Sequence, residues 1–198
     1  MKFTLLMALL GLMCCNSSEN PKIAPKDYAA TNLEAVAYCR QNGLNNDFYF
    51  LVDLSVHSGK NRFFVYDFKQ KKIVDENLVT HGTCDAFGEN PKMFEKAKCS
   101  NRVDSHCSAS GKYKIGKRDY SAWGIKVKYW LKGLETTNDN SEKRVVVLHS
   151  WEAVSDTEVY PDYSPLSWGC PAVSDNFMTK LDTRLKDVRK PVLLWIVE

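Results

Sequence analysis

Val145-Val146-Val147-Leu148-His149-Ser150 and Ser167-Trp168-Gly169-Cys170-Pro171-Ala172-Val173, whose cysteine falls 21 positions after the histidine, are the two stretches from which the rest of the chain is read. The first is a short, continuous apolar run ending in a histidine, the pattern of a buried strand that delivers an imidazole at its end. The second places a cysteine after a glycine, where an unusual backbone angle is available and main-chain N–H groups can converge on one point. A thiol has an ordinary pKa of about 8.5, so a neighbouring imidazole is what activates it near neutrality. Converging amides would hold a tetrahedral oxyanion. The pair Cys170 and His149 therefore reads as candidate machinery for acyl transfer.

The surrounding chain is β-rich. Aromatic and β-branched runs at residues 48–55, 62–68 and 73–80 predict strands separated by turns, with further strands at 111–115, 123–131, 144–149 and 191–197. A helix is predicted over 26–42, with Leu33, Val36, Ala37 and Tyr38 as its apolar face, and another over 175–188. Alternation puts Asp53 on an exposed face, and His57, beside a Ser58-Gly59 turn, in solvent. Residues 83–109 are polar and turn-rich with three cysteines, a length expected to be functional or cross-linked. The fold class is α+β: one mainly β domain over 26–198 with flanking helices.

Composition agrees with a soluble globular domain: 198 residues, 44% hydrophobic and 26% charged. Twenty-seven basic against 24 acidic residues give +3, without the basic stripe of a nucleic-acid binder, so no nucleic-acid partner is expected. Lys2 followed by the apolar run 3–13 suits an export signal, being too short to span a bilayer. Leu12-Met13-Cys14-Cys15 resembles a bacterial lipobox, which makes Cys15 the expected lipidated residue after a signal peptide at 1–15, with 16–25 as a tether. That places the protein outside the cytoplasm, in the periplasm or cell envelope. Of seven cysteines, Cys39, Cys84, Cys99 and Cys107 could make two disulfides of undetermined connectivity, leaving Cys170 free. His81, Cys84, Cys99, His106 and Cys107 offer zinc-type ligands but lack compact Cys-x-x-Cys pairs, and no metal is expected.

The motifs together resemble the L,D-transpeptidase catalytic domain, YkuD-like, and more closely a murein branch reading Ser-x-Gly-Cys-Pro-Ala. His81-Gly82, Cys99-Ser100-Asn101, Ser105-His106, Gly111-Lys112-Tyr113, Gly124, Leu131-Lys132-Gly133-Leu134-Glu135, Asn138 and Arg144 extend the likeness upstream of His149. The resemblance implies a β-sandwich-type catalytic domain acting as a monomer on peptidoglycan stem peptides, without a cofactor. Cys170 would be the nucleophile and His149 the base, oriented by the backbone carbonyl of Ser150. The N–H groups of Trp168, Gly169 and Cys170 would hold the oxyanion. The products would be 3→3 cross-links, or exchange or removal of a terminal D-Ala. Two departures stand out: Trp168 replaces the commoner histidine, and Ala172 replaces an Arg or Asn. His81, His106, Ser167 and Trp151 are candidate substrate contacts, and Trp151, Tyr160, Tyr163 and Trp168 a candidate lid. The competing readings are a peptidoglycan-directed cysteine peptidase or amidase and a non-catalytic peptidoglycan-binding lipoprotein.

Overall fold

The computed structural model describes residues 26–85 and 92–198; the signal segment, Cys15 and the tether lie outside the described residues. Helix α1 (Ala29–Gln41) leads into β1 (Phe48–Asp53), β2 (Phe63–Asp67), β3 (Lys72–Asn77) and the short β4 (His81–Gly82). After α2 (Lys92–Glu95) come β5 (Gly111–Tyr120), β6 (Val127–Gly133), β7 (Val147–Ser150), β8 (Leu166–Ser167) and β9 (Ala172–Val173). Helix α3 (Asp175–Leu185) and β10 (Leu193–Val197) follow. One eight-stranded sheet runs β3-β2-β1-β10-β5-β6-β7-β9, and β4 pairs with β8 beside it. Among the described residues, no helix is long and apolar enough to cross a membrane.

Both faces of the sheet centre are covered, which is why β1 is almost continuously apolar. Phe50 and Val52 face one core with Phe177, Met178, Leu181 and Leu185 of α3. Tyr49 and Leu51 face a second core with Ala35 and Cys39 of α1. Helix α3 starts where Ser174 accepts a hydrogen bond from the Phe177 N–H at 3.3 Å, a side-chain N-cap.

The face predicted for α1 is wrong. Its buried side is Asn32, Ala35 and Cys39, continued by Tyr28 before the helix, whereas Leu33 is 73% exposed. Asn32 replaces an apolar contact with a hydrogen bond, accepting from the Tyr49 hydroxyl at 2.6 Å. Asp53 is not exposed but fully buried, because alternation predicts exposure only when one face of a sheet is wet. Its carboxylate accepts from the Tyr28 and Ser55 hydroxyls and pairs with Lys26 at 2.7 Å, which holds it below the usual carboxylate range against the cost of burial. His57 is half-buried, its ring between those of Tyr160 and Tyr163 at 5.0 and 5.2 Å.

The expected pair of disulfides is also corrected. Among the described residues Cys84–Cys107 is the one disulfide, and Cys39, Cys99 and Cys170 are free thiols. Cys39 lies in the α1-side core and Cys99 packs against the other, so the sheet stands between them. The loop at 83–109 is accordingly not structureless: it is closed by that disulfide, contains α2, and makes a bridge between Cys99 and Ser108.

Candidate active site

Strand β7 begins later than its apolar run predicts. Val145 has φ +55°, a left-handed conformation that a β-branched residue adopts only under constraint. The turn aims the Val145 carbonyl at the Cys170 thiol, which donates to it at 3.7 Å, while the Val147 N–H donates to the sulfur at 3.4 Å. The edge of the sheet thus grips the sulfur from both sides.

The segment carrying Cys170 is fixed from below. Its carbonyl accepts from Ser167 Oγ at 2.7 Å and from Thr80 Oγ1 at 3.0 Å. Thr80 Oγ1 also accepts from the Ala172 N–H at 3.0 Å, on β9, whose partner across the parallel pair is His149. Gly169 has φ +100°, and a β-carbon there would collide with the Cys107 carbonyl, so glycine is required on two counts. That carbonyl accepts a hydrogen bond from the Arg144 guanidinium, which also donates to the Ser100 carbonyl at 3.0 Å. The disulfide-closed loop and the cysteine turn are therefore one packed unit.

His149 Nδ1 lies 2.9 Å from the Ser150 carbonyl. A carbonyl only accepts, so Nδ1 carries the hydrogen and Nε2 keeps its lone pair. Burial foremost, and then the Lys128 charge, hold the imidazole below its ordinary value, opposed by the Ser150 carbonyl. Burial pushes the Cys170 thiol up, opposed by the Val147 N–H and by the charges of Arg144 and Lys128. The resting pair is consequently a neutral thiol and a neutral imidazole. Both line a cavity of about 480 Å³, together with Trp123, Trp151, Leu166, Ser167 and Trp168. A smaller cavity of about 240 Å³ reaches the same two residues from the side of Ser121, Ala122, Trp123, Lys128 and Val147.

The sequence-picked residues divide. Cys170, His149, Ser150, Ser167, Trp151 and Trp168 gather here. The Gly169 N–H is engaged by Ser167 Oγ at 3.1 Å, so it is not available as an oxyanion donor. His81 does not reach the cavity. It is fully buried, accepting at Nδ1 from Arg62 at 2.8 Å and donating from Nε2 to the Met93 carbonyl at 2.6 Å. His106 contacts the site indirectly, paired with Asp85 and packed at a tilt against Trp168 with centroids 4.8 Å apart. Tyr160 and Tyr163 line neither cavity; their rings pack on His57 instead. Trp123 lies in a turn before β6, not on a strand, and its ring meets Trp151 edge-on at 5.9 Å. Thr80 and Lys128 belong to the site without any motif that marks them, and the carbonyl of Val145 joins it through a turn inside a run that reads as strand. The Thr80 hydroxyl finds its partner 90 positions away, and no local pattern announces such a contact.

A family model for the L,D-transpeptidase catalytic domain matches residues 19–193. No curated protein matches the chain. Among solved structures, an L,D-transpeptidase from Xylanimonas cellulosilytica DSM 15894 is similar at 10% identity and a TM-score of 0.43, over 81% of this chain and 68% of that one. The helical cell shape determining protein Pgp2 from Campylobacter jejuni is similar at 12% identity and a TM-score of 0.46, over 83% of this chain and 55% of that one. An L,D-transpeptidase from Mycobacterium tuberculosis H37Rv follows at 13% identity and 0.39, over 77% and 58%. The chain thus spans little more than half the length of the last two.

Proposed function

The chain belongs to the L,D-transpeptidase catalytic domain family, and on that premise we propose that it is a cysteine acyltransferase acting on peptidoglycan stem peptides through Cys170 and His149. The observation that carries the reading is the convergence of both residues on one cavity, with His149 Nδ1 tied to the Ser150 carbonyl and Nε2 left for chemistry.

The mechanism starts from the neutral pair. As Cys170 Sγ attacks the carbonyl carbon of the third stem residue, His149 Nε2 takes the thiol proton. The Val147 N–H supports the charge that grows on sulfur. Main-chain N–H groups of Trp168 and Cys170 hold the tetrahedral oxyanion, the Gly169 N–H being engaged elsewhere. Collapse breaks the C–N bond. His149 gives its proton to the departing nitrogen, D-Ala leaves, and the stem remains as a thioester on Cys170. An acceptor amine, deprotonated by His149, then forms a 3→3 cross-link and restores the thiol. Water at the same step gives the shortened stem instead. Attachment through a lipid on Cys15, with the domain outside the cytoplasm, completes the proposal and is supported by the lipobox-like sequence alone.

The test is mass spectrometry of a tetrapeptide muropeptide incubated with the protein and, in parallel, with Cys170→Ala. Loss of terminal D-Ala with dimer or tripeptide, dependent on Cys170, is the expected result. The ratio of dimer to tripeptide separates transfer to an amine from transfer to water. Cleavage of cross-linked dimers in place of tetrapeptides identifies a peptidase. No product and no acyl-enzyme mass from either substrate identifies a binding protein.

A further inference from the structure

A specificity residue for this proposed reaction is encoded in the sheet register. Lys128 on β6 stands directly opposite His149 on β7. Such cross-strand neighbours point to the same face with Cβ atoms about 5 Å apart. Val127, Tyr129 and Leu131 turn into the core, so alternation sends Lys128 to the other side. There it lines the smaller cavity, whose walls include His149 and Cys170. Apart from His149, it is the one titratable nitrogen lining either cavity among the described residues, and neither lining includes a carboxylate.

Among the described residues the Lys128 ammonium makes no ion pair, and it lies 4.9 Å above the Trp130 ring. Asp119, directly opposite on β5, is the nearby carboxylate: it accepts from Trp130 Nε1 at 3.0 Å and from the Tyr120 N–H at 2.8 Å, feels the Lys128 charge more weakly, and closes no ion pair with it. Two other nearby cations are engaged: Arg144 by the Ser100 and Cys107 carbonyls, and Lys126 by the Ala122 carbonyl at 2.7 Å. An ammonium so placed attracts a carboxylate and repels an incoming amine.

The geometry points to Lys128 as the residue that binds the free carboxylate of the donor stem, one residue beyond the bond that Cys170 attacks. Consecutive residues are about 3.8 Å apart along the chain, so that carboxylate falls within reach of a side chain whose root lies beside the root of His149. A cavity of about 240 Å³ has room for one small terminal residue. When the S–C bond forms and the C–N bond breaks, the nitrogen is protonated by His149 and the terminal residue departs as a free amino acid through the cavity that Lys128 lines. A stem whose end is amidated or extended presents no charge at this point.

The assignment is tested by kcat/KM for release of the terminal residue from a tetrapeptide stem ending in a carboxylate and from the same stem ending in a carboxamide. The wild type is expected to prefer the acid by about 10- to 100-fold, the range of one hydrogen bond to a charged group. Lys128→Met is expected to bring the ratio close to one, and Lys128→Arg to restore most of it. A shift in the His149 titration acts on both substrates alike and leaves the ratio unmoved. Equal rates in the wild type, or a Lys128→Met variant that keeps the preference, overturn the assignment while leaving the proposed reaction intact. Failure of the wild type to release anything from either stem refutes the proposed reaction, and this assignment with it.

Discussion

His149 and His81 are two imidazoles on short strands, both bonded to a main-chain carbonyl, yet the first is half-buried at a cavity and the second fully buried, and their hydrogen bonding differs. At His81 both nitrogens are engaged, Nδ1 by Arg62 and Nε2 by the Met93 carbonyl. At His149, among the described residues, only Nδ1 has a hydrogen-bond partner, and the other nitrogen faces a cavity that also holds a thiol. Burial beside a guanidinium pushes His81 down to about 4, a neutral donor–acceptor link that joins Arg62 to the segment at Met93. In the proposed reaction the nitrogen left without a partner is what lets His149 act as a base, whereas His81, with both filled, is a strut.

The largest contrast is expected in turnover. Removing His149, as His149→Ala, should lower release of the terminal residue by about 10³-fold or more, with the melting temperature little changed. His81→Gln should keep its turnover per folded molecule, measured well below its own melting point. Equal loss of turnover in the two variants at that temperature would erase the distinction.

Stability should separate them in the other direction. Arg62 is fully buried and donates to the Val79 and Val56 carbonyls as well as to His81. Arg62→Met strips these acceptors of their donor and should cost about 3–5 kcal/mol, a fall in Tm of roughly 10 °C for a domain of this size. Differential scanning calorimetry at neutral pH reads this directly, and a fall below 3 °C would show that the buried cation supports nothing.

The subtlest separation is in pH dependence. His81 binds its proton less readily folded than unfolded, so stability is complete above about 6.5 and is lost as the pH falls towards 4, by roughly 3 kcal/mol. His81→Gln should flatten that part of the curve of Tm against pH. His149 is also held below its ordinary value, so acylation of Cys170 should fall with acidification through a midpoint below 6.5. A rate midpoint above 6.5 would mean that a different group accepts the thiol proton.

What could be read from the sequence was what is local. The strand ending in His149 and the Ser-x-Gly-Cys-Pro-Ala turn are short patterns whose chemistry lies within a few residues, and the Ser150 carbonyl is adjacent to the ring it meets. The order of helices and strands was legible for the same reason, since period and turn residues act over a handful of positions. Illegible were features decided by a remote partner. Asn32 is buried because Tyr49 supplies a hydroxyl, and Asp53 because Tyr28 and Lys26 surround it. His81 looked like a cleft residue until Arg62 claimed it. The Cys84–Cys107 link depends on the path of a whole loop, which cysteine spacing does not determine.

The place of β10 has a consequence for how the molecule comes into being. It lies between β1 and β5, pairing in parallel with a strand nearly the whole length of the domain away and antiparallel with the other. Until residues 193–197 are available, the three-stranded ribbon of β1 to β3 and the four strands from β5 to β9 each present an open edge that nothing joins. Contacts of such long sequence separation form slowly. A nascent chain therefore cannot complete the eight-stranded sheet until β10 has been made, whatever the order in which its two parts fold.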